Sequence, residues 1–338
     1  MKPADPLFGL VQSFFGEHLK KVRGASPHTI AAYRDALKLF LQFVADRRGV
    51  STDRLGVDDL QADVVSAFLQ HLEQDRDNRI STRNCRRIAL RCFFQHTLRQ
   101  DPIRAAQYAR VLALPAKRSA PSVPRYLEPY HMRLLLEQPN RHTPSGQRDY
   151  ALLLFLYNTG ARVSEAVAVC RRDFQFTPPY QARLLGKGRK ERFCPLWPDT
   201  VHAIKPLLFP GDSASEEPSD AAFRGTRRNP LTRHGATYIL AKYATAAAGQ
   251  DPTFPKRVSP HMLRHSCACA LLQGGVDLTV IRDYLGHASI VTTSRYANSN
   301  LKLKRDALAN FWNRAGLAPS GATPWKPTKS LFSYLAAL

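Results

Sequence analysis

The sequence predicts a mainly α-helical protein of two domains, with one small β-sheet in the second. Apolar residues recur at helical spacing through the first ~110 residues and again through most of the rest. A basic, proline-rich run without periodicity, Leu114 to Arg125, separates the two parts. Only one stretch reads clearly as a hairpin: Gln181–Leu185 and Glu191–Leu196 flank the turn Gly186-Lys187-Gly188-Arg189-Lys190. A length of 338 residues fits two domains at ~150 residues each.

The first helix is expected over Leu7 to Leu19. Ser26-Pro27 supplies an N-cap and a first-turn proline for the second, whose inner face is Ile30, Tyr33, Leu37, Phe40, Leu41 and Val44. A third helix runs from about Asp58 to Glu73, and a fourth from about Ser81 to Arg99 with Cys85, Ile88, Cys92, Phe93 and His96 inward. The other side of the fourth helix carries Arg83, Arg87 and Arg91 at i, i+4 and i+8, with Arg86 beside them. Like charges at that spacing repel, and a solvated face more comfortably mixes signs, so the stripe predicts a surface that meets phosphates. Residues 1–113 thus form a helical domain and 114–125 an extended linker able to lie along a phosphate backbone.

In the second domain, 126–318, helices are expected at Glu128–Glu137, Gln147–Asn158 and Val163–Val169 before the hairpin. An acidic Ser/Pro/Gly loop follows it, from Gly211 to Ala221. Helices resume at Leu231–Ala248, Pro260–Leu272, Leu278–Leu285, Ile290–Ala297 and Leu301–Ala315. Arg227, Arg228 and Arg233 flank the start of the first of these, where they can meet phosphates or a groove. Residues 319–338 form a tether and a docking tail. Leu331, Phe332, Tyr334, Leu335 and Leu338 make an apolar patch on a segment too short to be a stable helix alone.

Composition narrows the partners. With 44% hydrophobic and 22% charged residues the chain is globular, not disordered. Lys and Arg number 49 against 27 Asp and Glu, a net charge of +22. Such an excess is offset by a polyanion, either nucleic acid or an acidic membrane surface. The most apolar run, Tyr150 to Tyr157, falls far short of the ~20 residues a bilayer requires, and no signal-peptide core follows Met1. Cys85, Cys92, Cys170, Cys194, Cys267 and Cys269 form no CxxC and no zinc spacing, so reduced, mostly buried thiols are expected. No acidic cluster suggests a two-metal site. The expectation is a cytoplasmic, cofactor-free protein that binds nucleic acid.

Four segments of the second domain place cationic or nucleophilic groups at helix ends or tight turns. In Asn158-Thr159-Gly160-Ala161-Arg162-Val163-Ser164-Glu165 the glycine ends one helix, and Arg162 stands at the threshold of the next, where an anion is favoured. A structural pairing of Arg162 with Glu165 or Asp173 is the alternative. In Ser259-Pro260-His261-Met262-Leu263-Arg264, serine caps, proline takes the first turn, and His261 and Arg264 share one face. A phosphate there would meet an imidazole and a bidentate arginine; His265 is the candidate for a purely structural histidine. Leu285-Gly286-His287 ends the next helix, and Tyr296 follows nine residues on. Lys187 sits at the hairpin tip, a mobile charge or a plain turn lysine.

In this order and spacing, Gly-Ala-Arg162-Val-Ser-Glu, Gly-Lys187-Gly-Arg-Lys-Glu-Arg, His261-x-x-Arg264, Leu-Gly-His287 and Tyr296 resemble the tyrosine recombinases, the family of phage integrases and Xer-type recombinases. The resemblance covers about residues 7 to 315. It implies a helical, SAM-like core-binding domain followed by a tyrosine-recombinase catalytic domain. It also implies site-specific DNA strand exchange of integrase or transposase type, through a 3′-phosphotyrosyl intermediate. Its catalytic set would be Arg162, Lys187, His261, Arg264, His287 and the nucleophile Tyr296.

By the same resemblance the two domains would close as a C-shaped clamp on double-stranded DNA, and the tail would dock on a neighbour in a homo- or hetero-tetramer; a groove on its own catalytic domain is the alternative seat. The enzyme would serve a mobile element or the upkeep of a chromosome or plasmid. A type IB topoisomerase-like relaxase shares this chemistry, and a non-cutting DNA-binding protein would share the clamp; the second would have no need of Tyr296.

Overall fold

The computed structural model describes residues 6–118, 124–186, 188, 190–209, 221–225, 229–287, 289 and 293–294. The chain divides into two compact units, Met1–Pro121 and Ser122–Leu338.

The first unit is helical. Helix α1 (Pro6–Ser13) continues as a π-wound segment, Phe14–Val22. Helix α2 (Pro27–Arg48) starts at the Ser26 cap, whose hydroxyl accepts the Thr29 N–H at 3.2 Å, and stops at Gly49, φ 65°. Helix α3 (Ala62–Gln74) begins four residues later than the sequence suggests, because Val57–Asp59 forms a separate 3₁₀ turn. Helix α4 (Ile80–Gln100) packs on α2, α3 and a helix the sequence reading missed, α5 (Ala105–Ala113). The core lies between them, around Phe14, Phe40, Phe68, Phe93, Phe94 and Tyr108.

The inward face of α4 differs from the expectation in its first half. Cys92, Phe93 and His96 are buried, with His96 hydrogen-bonded to the Ser13 hydroxyl at 2.7 Å, but Cys85 and Ile88 are exposed. The positions that pack instead are Ala89, Leu90, Phe94 and Thr97. The arginine stripe is half-buried. Arg87 and Arg91 donate to the main-chain carbonyls of Leu114 and Leu112, at and just beyond the C-terminal end of α5. The orphan carbonyls of a helix end favour a cation, so α5 draws these two side chains down along the protein surface. Arg83 pairs with Glu73 at 3.0 Å, and Arg86 is also half-buried.

The second unit wraps helices around one long buried helix. Helix α6 (Pro129–Glu137) precedes α7 (Pro144–Thr159), which starts three residues before the expected Gln147 because Thr143 caps it and Pro144 takes its first turn. Leu152, Leu153, Phe155 and Leu156 lie in its buried core. Helix α8 is only Val163–Ala166, not Val163–Val169. The sheet has three antiparallel strands: β1 (Phe174–Gln175), unforeseen, pairs with β2 (Gln181–Leu185), which pairs with β3 (Glu191–Pro195). Helix α9 (Pro198–Leu208), also unforeseen, packs on α7. Helices α10 (Arg233–Gln250), α11 (Pro260–Gln273) and α12 (Leu278–Leu285) follow close to expectation.

Four of the six cysteines are buried, Cys85 is exposed and Cys170 lies between; all are free thiols. Among the described residues no helix is long and apolar enough to cross a membrane, and no three His, Cys, Asp or Glu side chains group as metal ligands. The acidic loop and the two expected helices after His287 lie, but for a few residues, outside the described residues, and the tail lies wholly outside them.

Candidate active site

The site forms where three helix ends meet. Helix α7 stops at Gly160, whose left-handed φ of 57° turns the chain so that Arg162 becomes the N-cap residue of α8. Glu165, three positions on, closes the turn: its carboxylate accepts the Arg162 N–H at 2.9 Å and the Arg162 guanidinium at 2.6 Å. Of the two pairings the sequence allowed for Arg162, Glu165 is the one formed, since Asp173 pairs with Arg183 at 2.7 Å.

Helix α11 presents His261 and Arg264. Ser259 accepts the Met262 N–H, and Pro260 occupies the first turn. Arg264 is 3% exposed. Its guanidinium donates to the Gly160 carbonyl and the Leu285 carbonyl, each at 2.6 Å. Those carbonyls stand at the C-terminal ends of α7 and α12, where helix dipoles leave partial negative charge, and this offsets much of the cost of burying a guanidinium.

Gly286, φ 66°, ends α12 and delivers His287, whose main-chain N–H bonds back to the Arg282 carbonyl at 2.9 Å. The His287 Nδ1 lies 3.0 Å from the hydroxyl of Thr293, a fully buried residue.

Electrostatics place the four side chains in one field. Burial lowers the His261 pKa first, and the charges of Arg264 and Arg162 lower it further. Burial, then Arg264, Arg162, His265 and Arg192, push His287 down to about 4. His265 also falls to about 4, from burial and then from His261 and Arg264. At neutral pH these imidazoles are uncharged, so the fixed charges are guanidinium groups and one carboxylate. Burial works against ionisation of Glu165, but hydrogen bonds and charge from Arg192 and Arg162 outweigh it and hold the carboxylate ionised.

Arg192 and Glu165 organise this site; the sequence offers Glu165 only as a structural partner of Arg162 and gives Arg192 no role. Arg192 donates to Glu165 at 2.7 Å and to the Tyr284 carbonyl at 3.0 Å. Their only signal in sequence is that each shares a short motif with a candidate, Glu165 with Arg162 and Arg192 with Lys187.

Of the six candidate catalytic residues, Arg162, His261, Arg264 and His287 come together here, while Lys187 and Tyr296 lie outside the described residues. The base of the turn that carries Lys187 is near: a Cβ on Gly186 would sit 3.4 Å from Glu165 Oε1. Among the DNA-contact candidates, Arg233 is exposed in the first turn of α10, and Arg227 and Arg228 lie outside the described residues.

Two arginines and neutral imidazoles gathered at helix ends make a cationic site chemically suited to a phosphodiester. The chain belongs to the phage integrase family, and within it to the tyrosine recombinases, enzymes of site-specific recombination. Residues 125–302 match the phage integrase family, and residues 12–101 match the phage integrase N-terminal SAM-like domain. The putative integrase/recombinase y4rC of Sinorhizobium fredii (strain NBRC 101917 / NGR234) is 36% identical over 97% of both chains. Tyrosine recombinase XerC of Pelobacter propionicus (strain DSM 2379 / NBRC 103807 / OttBd1) is 33% identical over 95% of this chain and 98% of its own.

The fold resembles that of XerH site-specific recombinase bound to palindromic difH substrate, with a TM-score of 0.66 and 22% identity over 93% of this chain and 90% of that one. It also resembles the Tn1549 transposon integrase in complex with transposon right end DNA, at a TM-score of 0.68 and 14% identity over 90% and 98%.

Proposed function

We propose that this recombinase cuts and rejoins double-stranded DNA at specific sites, with Arg162, Lys187, His261, Arg264, His287 and Tyr296 as its catalytic set. The observation that carries the reading is the convergence of Arg162, Arg264, His261 and His287 in one field. A DNA phosphodiester carries one negative charge, and attack raises this to two on a pentacoordinate phosphorus. Arg162 and Arg264 neutralise the added charge on the non-bridging oxygens, which in such reactions is usually the largest catalytic contribution.

The Tyr296 hydroxyl attacks phosphorus. Its proton passes to the neutral His261 imidazole, the Tyr296 O–P bond forms, and the bond from phosphorus to the 5′ oxygen breaks. Lys187 on the hairpin turn supplies the proton that the leaving oxygen takes up. His287, oriented by Thr293, hydrogen-bonds the phosphate in the transition state. The phosphotyrosyl link conserves the bond energy, so a 5′ hydroxyl of a partner strand reverses the steps and completes exchange without a nucleotide cofactor.

The same reading takes residues 1–113 as the core-binding domain, 114–125 as linker, 126–318 as catalytic domain and 319–338 as an assembly tail. It also takes a homo- or hetero-tetramer on paired DNA sites as the working form and the cytoplasm as its place. Solved relatives in complex with DNA support the DNA partner.

A nicked suicide duplex, from which the short cleaved fragment diffuses away, tests the chemistry. The wild-type chain is expected to accumulate a covalent protein–DNA adduct, and Tyr296→Phe to bind the duplex equally well and form none. An adduct that survives in Tyr296→Phe moves the nucleophile elsewhere. Exchange between two sites, read on the same preparation, separates a recombinase from a relaxase.

A further inference from the structure

We propose that Arg192 is a positioning residue for strand cleavage, acting through Glu165 to keep one edge of Arg162 available to the scissile phosphate. The proposal rests on the catalytic role given above to Arg162. Glu165 is 4% exposed and its carboxylate is shared. Oε1 accepts the Arg162 guanidinium, while Oε2 accepts the Arg162 main-chain N–H and the Arg192 guanidinium. An isolated arginine–carboxylate pair tends to close in a two-pronged fork that uses one whole edge of the guanidinium. Here Arg192 takes the second oxygen, so Arg162 engages through Nη1 alone, and its Nε and Nη2 meet no hydrogen-bond acceptor among the described residues.

Charge follows the same logic. A buried Arg162–Glu165 pair would be neutral and would offer a phosphate little. Two guanidinium groups on one carboxylate leave a net positive charge, on the side where Arg162 and Arg264 act on both histidines.

Arg192 also fixes where this charge stands. It lies on β3, its side chain 10% exposed. Its Nε donates to the Tyr284 carbonyl in the last turn of α12, and a Cβ on Gly286 would come within 3.2 Å of its Cδ and Nη1. One side chain therefore ties the strand after the Lys187 turn to the start of α8 and to the helix end that delivers His287. A lysine offers a single ammonium at that position. It reaches one of the two acceptors with good geometry, not both in one plane.

Full-length Arg192→Lys and Arg192→Gln would be compared with wild type for duplex affinity, melting temperature and the single-turnover cleavage rate at saturating suicide duplex. Affinity is expected to stay within about threefold. Cleavage is expected to fall at least tenfold in Arg192→Gln and by a smaller factor in Arg192→Lys. A second arm uses Glu165→Gln. If Arg192 acts through Glu165, adding Arg192→Gln to that background costs less than threefold further.

Full additivity in the double variant, or cleavage within threefold of wild type in Arg192→Gln, overturns the proposal. Should Arg192→Gln melt below the assay temperature, Arg192→Lys decides alone: a cleavage loss at unchanged affinity supports the role, and a rate within experimental error of wild type removes it. Arg162→Lys runs beside them as a control. If it cleaves like wild type, the reading of the site itself fails; if it is slow while the Arg192 variants are fast, only the present proposal fails.

Discussion

Gly160 and Leu285, 125 residues apart in sequence, present their main-chain carbonyls to one guanidinium, that of Arg264, at 2.6 Å each. The arrangement needs two helices to end at the same place, and glycine makes both ends possible. Gly160 at φ 57° and Gly286 at φ 66° adopt the left-handed conformation that other residues reach only with strain.

Gly160→Ala therefore carries two costs. The left-handed backbone costs about 1–2 kcal/mol for a residue with a Cβ. That Cβ would also overlap Leu285 Cδ2 and come within 3.2 Å of Cys267 Sγ, which parts α7 from α12. Overpacking adds about 1–3 kcal/mol. We expect a destabilisation of about 2–5 kcal/mol in urea denaturation, the sum of those two ranges, together with loss of cleavage as the Arg264 seat opens. A denaturation midpoint equal to wild type would show that the two helix ends are not packed as described.

The stability of the second unit is expected to depend on pH in a definite direction. His287 and His265 both titrate at about 4 in the folded chain, against ~6.5 for an unfolded imidazole. Between those values the unfolded chain binds protons that the folded chain refuses, so acidification favours unfolding. The contribution of these histidines is complete above about pH 6.5 and is lost progressively as the pH falls toward 4. Urea midpoints should be level from pH 7 to 8 and should decline below 6.5. His265→Gln should flatten part of that decline. A midpoint constant from pH 7 to 4.5 would mean that neither imidazole is held neutral by burial and by the arginines.

What the sequence made legible follows the range of the interactions. Caps and stops are local, so Ser26 and Ser259 before helices, and Gly160 and Gly286 after them, mark element ends within a few residues. The positions of Arg162, His261, Arg264 and His287 at those ends could be read for the same reason.

The tie of Arg192 to Glu165 and to Tyr284 spans 27 and 92 residues, and no local pattern announces it. The arginine stripe on α4 shows the opposite case. Its spacing is correct, but its surroundings depend on α5, whose nine residues give too short a pattern to be noticed beside the longer helices. Period alone turns Cys85 and Ile88 inward, yet both are exposed because the core of this unit reaches only the later turns of α4.

The net charge of +22 sets an expectation for duplex binding. Each phosphate neutralised releases condensed counterions, so log K falls against log salt with a slope of about −0.9 per contact. Fluorescence anisotropy on a labelled duplex should give a slope steeper than about −4, corresponding to five or more phosphates. A nearly flat titration would remove the charged grip on the backbone as the source of affinity.

Three arginines of the α4 stripe, Arg86, Arg87 and Arg91, should separate into two behaviours when replaced one at a time. Arg91 donates to the Leu112 carbonyl and Arg87 to the Leu114 carbonyl, so each closes the end of α5 against α4. Removing either leaves a carbonyl near the domain core without its partner, at about 1–3 kcal/mol for the unsatisfied group. Arg86 bonds no main-chain carbonyl of that helix end, and its buried Nη1 has no hydrogen-bond partner among the described residues. It borders a groove between α2 and α4 with His28, Thr29, Tyr33 and Ile88. Arg91→Ala should lower the melting temperature of the first unit, and any loss of duplex affinity should follow that instability. Arg86→Ala should leave the melting temperature within about 1–2 °C, a shift that corresponds to only a few tenths of a kcal/mol, while it weakens duplex binding and lowers the salt slope by about one phosphate. If Arg86→Ala melts early, or if it binds DNA as tightly as wild type, Arg86 is a structural arginine and the stripe has no phosphate-facing member at that position.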